Sequence, residues 1–452
     1  MTLLSQILAI VIFLIMFVAI IIGKVHRYIP AIIGALLTII VVFLITMSST
    51  EAVANVLNLG QLAELKFWYP GEQHIESRGI NWQTIVFIGG MMIMVEGLGA
   101  VGFFRWICLY TARLVGCRVI PILFAFMLLS GFLSMFIDSI TVMLFLASIT
   151  IELARMLKFN PVPVILAEIF AANVGGSATM SGDPPNIIIG TALGYSFMDF
   201  AVNTGPVAWG GMIITLGFFY LVFRKILIQS EDPDALMKVC PVPSTAITNH
   251  RLFIIDTSIF FFVIILLITH AETGISVASI GVIAAILTLA FAGKGISYIM
   301  KHVDWRTLLF FIGLFITVGG LEETGVLEMV AEYIGEASGG NLVLVIPIIL
   351  WVSAFASAIV DNIPFAATMV PVIRQLSTSA GLSLPTLAWS LALGTDIGGN
   401  ATPIGASANV VGTAIAEREG YPISWGTFLK YALPGMIIVV ALCHVYLIMR
   451  YA

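Results

Sequence analysis

The chain has 452 residues, of which 60% are hydrophobic and only 10% charged, with a formal net charge of −5 and a mean hydropathy of +1.08. Soluble domains carry roughly 25% charge, so a soluble globular protein and a disordered one are excluded, as is a nucleic-acid binder with its basic surface. Long apolar runs, in place of short alternating segments, point to a polytopic helical membrane protein and away from a β-barrel.

The first apolar run is 3–23. No basic region precedes it, and Lys24 and Arg27 follow it. That order fits a retained membrane helix better than a cleaved signal peptide. A second run covers 29–47, a polar loop continues to about Asn81, and a third run covers 82–98. The amphipathic stretch 103–115, with Arg105 and Arg113, reads as an interfacial arm. Runs 120–136 and 140–156 flank Asp138. Glu152 and Arg155, three residues apart, are expected to pair along their helix. The run from Pro163 to Val174 breaks at 175–185 and resumes at Asn186, and 207–228 completes the half. The segment 229–250, with Glu231-Asp232-Pro233-Asp234, reads as a linker.

The second half follows the same order. It has runs at 252–269, 275–292 and 305–320, then an acidic arm with Glu322, Glu323, Glu328, Glu332 and Glu336. Two segments flank Asp361, a segment from Pro385 breaks at 398–408, and a last run covers 431–449. The cysteines Cys108, Cys117, Cys240 and Cys443 form no CxxC pair and suggest neither a disulfide framework nor a zinc site.

If the segments around Asp138 and Asp361 are re-entrant hairpins, each half has five full spans and one hairpin. With the N-terminus outside, sixteen of the 20 Lys and Arg fall inside, and only Lys66, Arg78, Arg374 and Arg450 fall outside. The positive-inside rule supports this orientation. Both termini are then expected outside, in a bacterial or archaeal inner membrane.

An internal repeat underlies the parallel order. At one shift of 223 residues Trp82 matches Trp305, Gly90 Gly313, Gly97 Gly320 and Asp138 Asp361. Gly175-Gly176 match Gly398-Gly399, Thr179 matches Thr402, Gly182 Gly405 and Asn186 Asn409. Chance likeness between apolar segments would align Leu with Ile; it would not hold Trp, Asp and Gly-Gly in register. An odd number of spans per half inverts the second copy. The expected fold is therefore an all-α polytopic membrane protein of two inverted repeats, 1–228 and 251–452, joined by a cytoplasmic linker at 229–250. Its broken helices would meet at the midplane, where secondary transporters of this build bind their cargo.

The first break reads Gly175-Gly176-Ser177-Ala178-Thr179-Met180-Ser181-Gly182-Asp183-Pro184-Pro185-Asn186. The second reads Gly398-Gly399-Asn400-Ala401-Thr402-Pro403-Ile404-Gly405-Ala406-Ser407-Ala408-Asn409. Polar backbone at membrane depth is tolerated only where protein or a wet cavity covers it. Freed carbonyls with Thr, Ser and Asn side chains suit a small hard cation such as Na⁺. The restarting helix offers N–H groups and a positive dipole end to an anion. Thr179, Ser181, Asn186, Asn400, Thr402, Ser407 and Asn409 are candidate site residues, with Asn173 and Asp396 at equivalent points just before the breaks. Asp183 has a local alternative, a helix cap ahead of two first-turn prolines. At the hairpin tips stand Asp138-Ser139-Ile140-Thr141 and Asp361-Asn362-Ile363-Pro364. A cap there needs only Ser or Asn. A carboxylate within the membrane costs about 2.5–3.5 kcal/mol even on the lenient scale, so Asp at both tips adds a charge that calls for a cation, a proton or a dipole. Asp138, Ser139, Thr141, Asp361 and Asn362 join the candidates. Glu96 and Glu168 are single intramembrane acids, replaced by Gly319 and Leu391 in the second copy; each reads equally as a proton carrier or a satisfied packing group.

At these motifs the sequence resembles the ion transporter superfamily, most closely the arsenite permeases, NhaD-type sodium–proton antiporters and P-protein-like permeases, with citrate carriers as relatives. The resemblance covers essentially the whole chain. It implies inverted repeats, a scaffold and a moving transport domain, and Na⁺ ligation at Asp138, Ser139, Thr179, Asp361, Asn362 and Thr402. The tips differ from the Ser-Asn-Thr of dicarboxylate carriers.

The expected function is secondary active ion transport by alternating access, coupled to Na⁺ or H⁺: sodium–proton antiport, or ion-coupled export of an inorganic anion such as arsenite. A citrate or dicarboxylate carrier is the alternative; no Lys or Arg clusters at the breaks to hold such an anion. An intramembrane aspartyl protease built on Asp138 and Asp361 is a remote one, because a protease has no use for paired Gly-rich breaks. No enzymatic activity and no resident cofactor are expected. The expected partners are a small inorganic ion or small anion, the lipid bilayer and a second copy of the chain, and no nucleic acid.

Overall fold

A computed structural model describes residues 3–71, 79–227 and 233–452, and among these every regular element is a helix. Arg78 of the expected outer set, the end of the 207–228 run, and Glu231 and Asp232 of the linker lie outside the described residues. In the first copy the long helices are α1 (Leu3–Ile22), α2 (Tyr28–Leu37, continued as a wider turn to Thr46), α3 (Trp82–Ala100), α4 (Phe103–Leu114), α5 (Val119–Leu133), α6 (Ser139–Leu157), α7 (Val162–Gly176), α8 (Pro184–Leu193) and α9 (Gly205–Phe223). The second copy has α10 (His250–Thr273), α11 (Val277–Ala292), α12 (Trp305–Glu323), α13 (Val326–Ser338), α14 (Leu342–Ile359), α15 (Asn362–Ala380), α16 (Leu384–Gly398), α17 (Ser407–Arg418) and α18 (Trp425–Tyr451). Among the described residues ten helical segments are long and apolar enough to cross a bilayer. Ser139–Leu157 and Leu342–Ile359, one arm from each expected hairpin, are among them.

The 223-residue register reappears in the local chemistry. Asn81 caps α3 by accepting from the Thr84 amide, and Asp304 caps α12 by accepting from the Thr307 amide. Gly102 and Gly325, at φ 85° and 76°, turn the chain into the arms α4 and α13. A side chain at either point would strain the left-handed backbone. Asp138 and Asp361 cap the returning hairpin arms α6 and α15.

Packing repeats in the same way but crosses between copies. In each copy the first hairpin arm packs on the helix before the break, α5 on α7 and α14 on α16. The returning arms exchange: α6 packs on α17, and α15 on α8. The outer pairs exchange too, with α3 against α11 and α12 against α2. Small residues allow this closeness. A Cβ on Gly90 would fall 2.0 Å from the Gly281 carbonyl oxygen, and one on Gly313 would fall 2.6 Å from the backbone of Ala31. Hydrophobic side chains from both copies form one continuous core.

Two expectations are corrected. Glu152 does not pair with Arg155. Both its oxygens take the Arg105 guanidinium of α4, each at 2.7 Å, and Arg155 turns to Glu419 at 2.9 Å. A bidentate fork on a neighbouring helix is a better fit than a one-turn local contact. Cys117 and Cys240 form a disulfide, although they are 123 residues apart. Spacing could not reveal it, because folding brings the start of α5 beside the linker.

Candidate ion and substrate site at the paired breaks

Both breaks are shaped by contacts with their hairpins. A Cβ on Gly175 would meet the Gly131 oxygen at 2.2 Å, and one on Gly398 would meet the Ala354 Cα at 2.3 Å. Gly182 and Gly405 press likewise on the carbonyls of Ser134 and Ser357. The Thr179 hydroxyl donates to the Met135 carbonyl, and the Thr402 hydroxyl donates to the Ala358 carbonyl at 2.5 Å. Ser181 adds a second bond to Met135, at 3.0 Å. Each Asn amide spans its own break: Asn186 donates to the Gly176 and Thr179 carbonyls, and Asn409 to Gly399 and Thr402. These bonds satisfy carbonyls that interruption of the helix sets free.

The tips converge on Asp183. Its Oδ1 accepts from the Ser139 hydroxyl and its Oδ2 from the Asn362 amide, both at 2.7 Å. Asp183 stands at the cap position of α8 yet makes no side-chain cap bond, so the local reading of this residue gives way to a bridging one. Asp138 and Asp361 lie within Coulombic range of it.

The copies also cross at the centre. Asn173 of the first donates to the amide oxygens of Asn400 and Asn409 in the second, at 3.0 and 2.8 Å. Asp396 of the second copy approaches Asp183 and Asn186 of the first. Asp396 is fully buried, and neither of its oxygens meets a donor in hydrogen-bond geometry. The Asn186 Oδ1 is also without a donor. The carboxyls of Asp183 and Asp396 are thus buried close together beside the Asn186 side chain. Buried carboxyls set side by side need a shared proton or a cation between them.

The tips use their acids differently. Asp138 accepts from the Thr141 amide and hydroxyl, at 3.0 and 2.8 Å. It borders a void of about 30 Å³ with Met91, Phe136, Ser181, Thr307 and Phe311. Asp361 accepts from the Ile363 amide, from Ser407 and from the guanidinium of Arg27. Arg27 is the residue that sequence reasoning missed. Beside Lys24 it looks like an ordinary flanking charge, and no local signal marks its reach across 334 residues. It places a guanidinium at the second break, where no basic residue was expected.

Glu168 is buried in α7. Thr150 donates to its Oε1 at 2.5 Å, and its Oε2 has no partner. Glu96 is only partly covered. A wider cavity of about 260 Å³ lies between α8 and the start of α11, lined by Gln83, Thr191, Tyr195, His270 and Ser276. It reaches Met180 in the first break. Among the described residues no three His, Cys, Asp or Glu gather as a metal cluster.

Residues 17–394 match the citrate transporter family, CitMHS. The chain is 36% identical over 376 residues to the uncharacterized transporter MT2759 of Mycobacterium tuberculosis, a match spanning 82% of this chain and 87% of that one. It is 30% identical over 504 residues to the P protein of Mus musculus, spanning 93% of this chain and 57% of that longer protein. Among solved structures, the YdaH transporter of Alcanivorax borkumensis superposes with a TM-score of 0.54 at 15% identity, covering 88% of this chain and 86% of the other.

Proposed function

Because the chain belongs to the citrate transporter family, a family of multi-pass membrane transporters, we propose that it is a secondary transporter driven by Na⁺ or H⁺ and working by alternating access. Sodium–proton antiport, or ion-coupled export of a small inorganic anion such as arsenite, is the reading preferred. The observation that carries it is the meeting of the buried carboxyls of Asp183 and Asp396 at the crossing of the two breaks, with the Asn186 side chain beside them. A fixed acceptor cluster at membrane depth is costly when empty. A travelling cation or proton would relieve it, and each arrival or departure would change the charge balance there.

In this reading 1–228 and 251–452 are inverted repeats. The hairpins and broken helices carry Asp138, Ser139, Thr179, Asp361, Asn362 and Thr402 as cation ligands in the open cycle, and α2, α3, α11 and α12 serve as scaffold. The chain would sit with both termini outside. That orientation puts the Cys117–Cys240 bridge on the inner face. Disulfides persist in oxidising compartments, so finding the bridge reduced in cells supports the orientation, and finding it intact reverses it.

A second reading, a carrier of carboxylate anions, is favoured by Arg27 at the start of α17, where a guanidinium and a helix N-terminus coincide. Everted vesicles decide between them. Proton flux would be followed while Na⁺, Li⁺, arsenite and citrate are added in turn. The preferred reading expects a response to a cation or to arsenite, lost in Asp183→Asn and Asp396→Asn. A response to citrate alone, surviving in both variants, replaces it with the second reading.

A further inference from the structure

Arg27 ties together parts of the molecule that transport would have to separate. Its Nη1 donates to Asp361 Oδ2 at 2.9 Å and to Ser407 Oγ at 2.8 Å, and its Nη2 donates to Thr307 Oγ1 at 3.0 Å. The guanidinium lies 5.0 Å from the Phe310 ring centre. Thr307 and Phe310 belong to α12, which is locked to α2 through the contact of Gly313 with Ala31. Asp361 belongs to the second hairpin, and Ser407 opens the helix after the second break. One side chain therefore bridges the α2–α12 pair to both moving elements of the second copy. The side chains of Arg27 and Asp361 are only 24% and 14% exposed. In so sheltered a pair, losing one partner strands the other's charge. Asp138, at the equivalent tip, is satisfied by Thr141 on its own helix.

Resting on the transport reading above, we propose that Arg27 is a tethered cation: it occupies Asp361 when no free cation is bound, and it must withdraw for a monovalent cation to take that carboxylate. Asp361 then keeps a positive partner throughout. Binding of the free cation and release of the second tip from α2 and α12 become one event. The first tip has no such lock, so the dependence acts on one hairpin only.

The test has two arms. The first reads opening without transport. A reporter at buried Ala408, next to the lock but making none of its bonds, is introduced as Ala408→Cys and labelled in purified protein with a membrane-impermeant maleimide; the native cysteines Cys108, Cys117, Cys240 and Cys443 are all buried. Labelling should rise when Na⁺ or Li⁺ is added. It should already be high without either ion in Arg27→Gln, and low again in Arg27→Lys. The second arm measures Na⁺ and Li⁺ flux in proteoliposomes. Removing the competitor should lower the KM for the cation about ten-fold and open a leak in Arg27→Gln, while Arg27→Lys stays close to the parent. Labelling of Arg27→Gln no faster than the parent, or an unchanged KM, overturns the proposal. So does equal labelling of the Lys and Gln variants together with early melting of both, which marks a purely structural role. Citrate uptake that stops in Arg27→Gln with labelling unchanged assigns Arg27 to an anion instead. A parent protein that moves no cation defeats the transport reading and leaves the labelling arm to judge the lock.

Discussion

At the first hairpin tip, Asp138 is satisfied within its own helix, by the amide and hydroxyl of Thr141. At the second, Asp361 holds a guanidinium that arrives from the start of α2. The acids near the breaks are divided in the same uneven way. Asp183 has Ala406 as its counterpart, and Asp396 has Asn173. Backbone contacts, by contrast, match closely: Gly175 on Gly131 and Gly398 on Ala354, Thr179 on Met135 and Thr402 on Ala358. The lesson is that the two breaks share their backbone contacts and differ in their charges. A symmetric frame carries an asymmetric ion site.

Breaking the frame should have the largest effect and should be the same in both copies. Gly175→Ala and Gly398→Ala each drive a methyl into rigid backbone. Overpacking of a core costs about 1–3 kcal/mol, and here no side chain can move aside, so both variants should express poorly and melt early in detergent. One tolerated and one lethal would break the equivalence. The central acids come next. Asp396→Asn should abolish ion-driven flux while raising thermal stability, because it replaces an acceptor-only carboxylate beside Asp183 with an amide that can donate to it, relieving part of a penalty of about 1–3 kcal/mol. A lower melting temperature would mean that Asp396 has a structural partner. Asp183→Asn should also abolish flux but melt lower than the parent, because Asp183 accepts from both tips.

A finer test replaces the matched hydroxyls. Thr179→Val and Thr402→Val each remove one bond to a hairpin carbonyl and should destabilise by about 1 kcal/mol, equally in the two copies, in denaturation of the purified protein. Unequal losses would show that the charges distort the frame. Smallest of all, Glu152→Gln releases Arg105 from an exposed pair and should shift stability by about 1 kcal/mol at most. A larger drop would make the α4–α6 contact a structural anchor.

Much of this was legible in the sequence, for a physical reason. Asp and Asn are expensive inside a bilayer and glycine pairs mark close approach, so their recurrence at one spacing pointed to the breaks and the two Asp-capped turns. The caps at Asp138 and Asp361 followed from the same spacing. What stayed hidden depends on contacts between distant segments. Arg27 resembles any charge flanking a span. Glu152 has an obvious neighbour in Arg155, and only the approach of α4 reveals a better one. Cys117 and Cys240 carry no motif. The meeting of Asn173 with Asn400 and Asn409 requires that the two copies cross, which no pattern within either copy records.

That crossing bears on how the chain is made. α3 enters the membrane early, but the surface it rests on, α11, is synthesised about two hundred residues later. α6 waits longer still for α17. Through most of synthesis the first copy displays grooves cut by Gly90 and its neighbours with nothing to fill them. A lone copy would have the same open grooves, and only another copy could close them. Folding of the first half is therefore completed only once the second has been made.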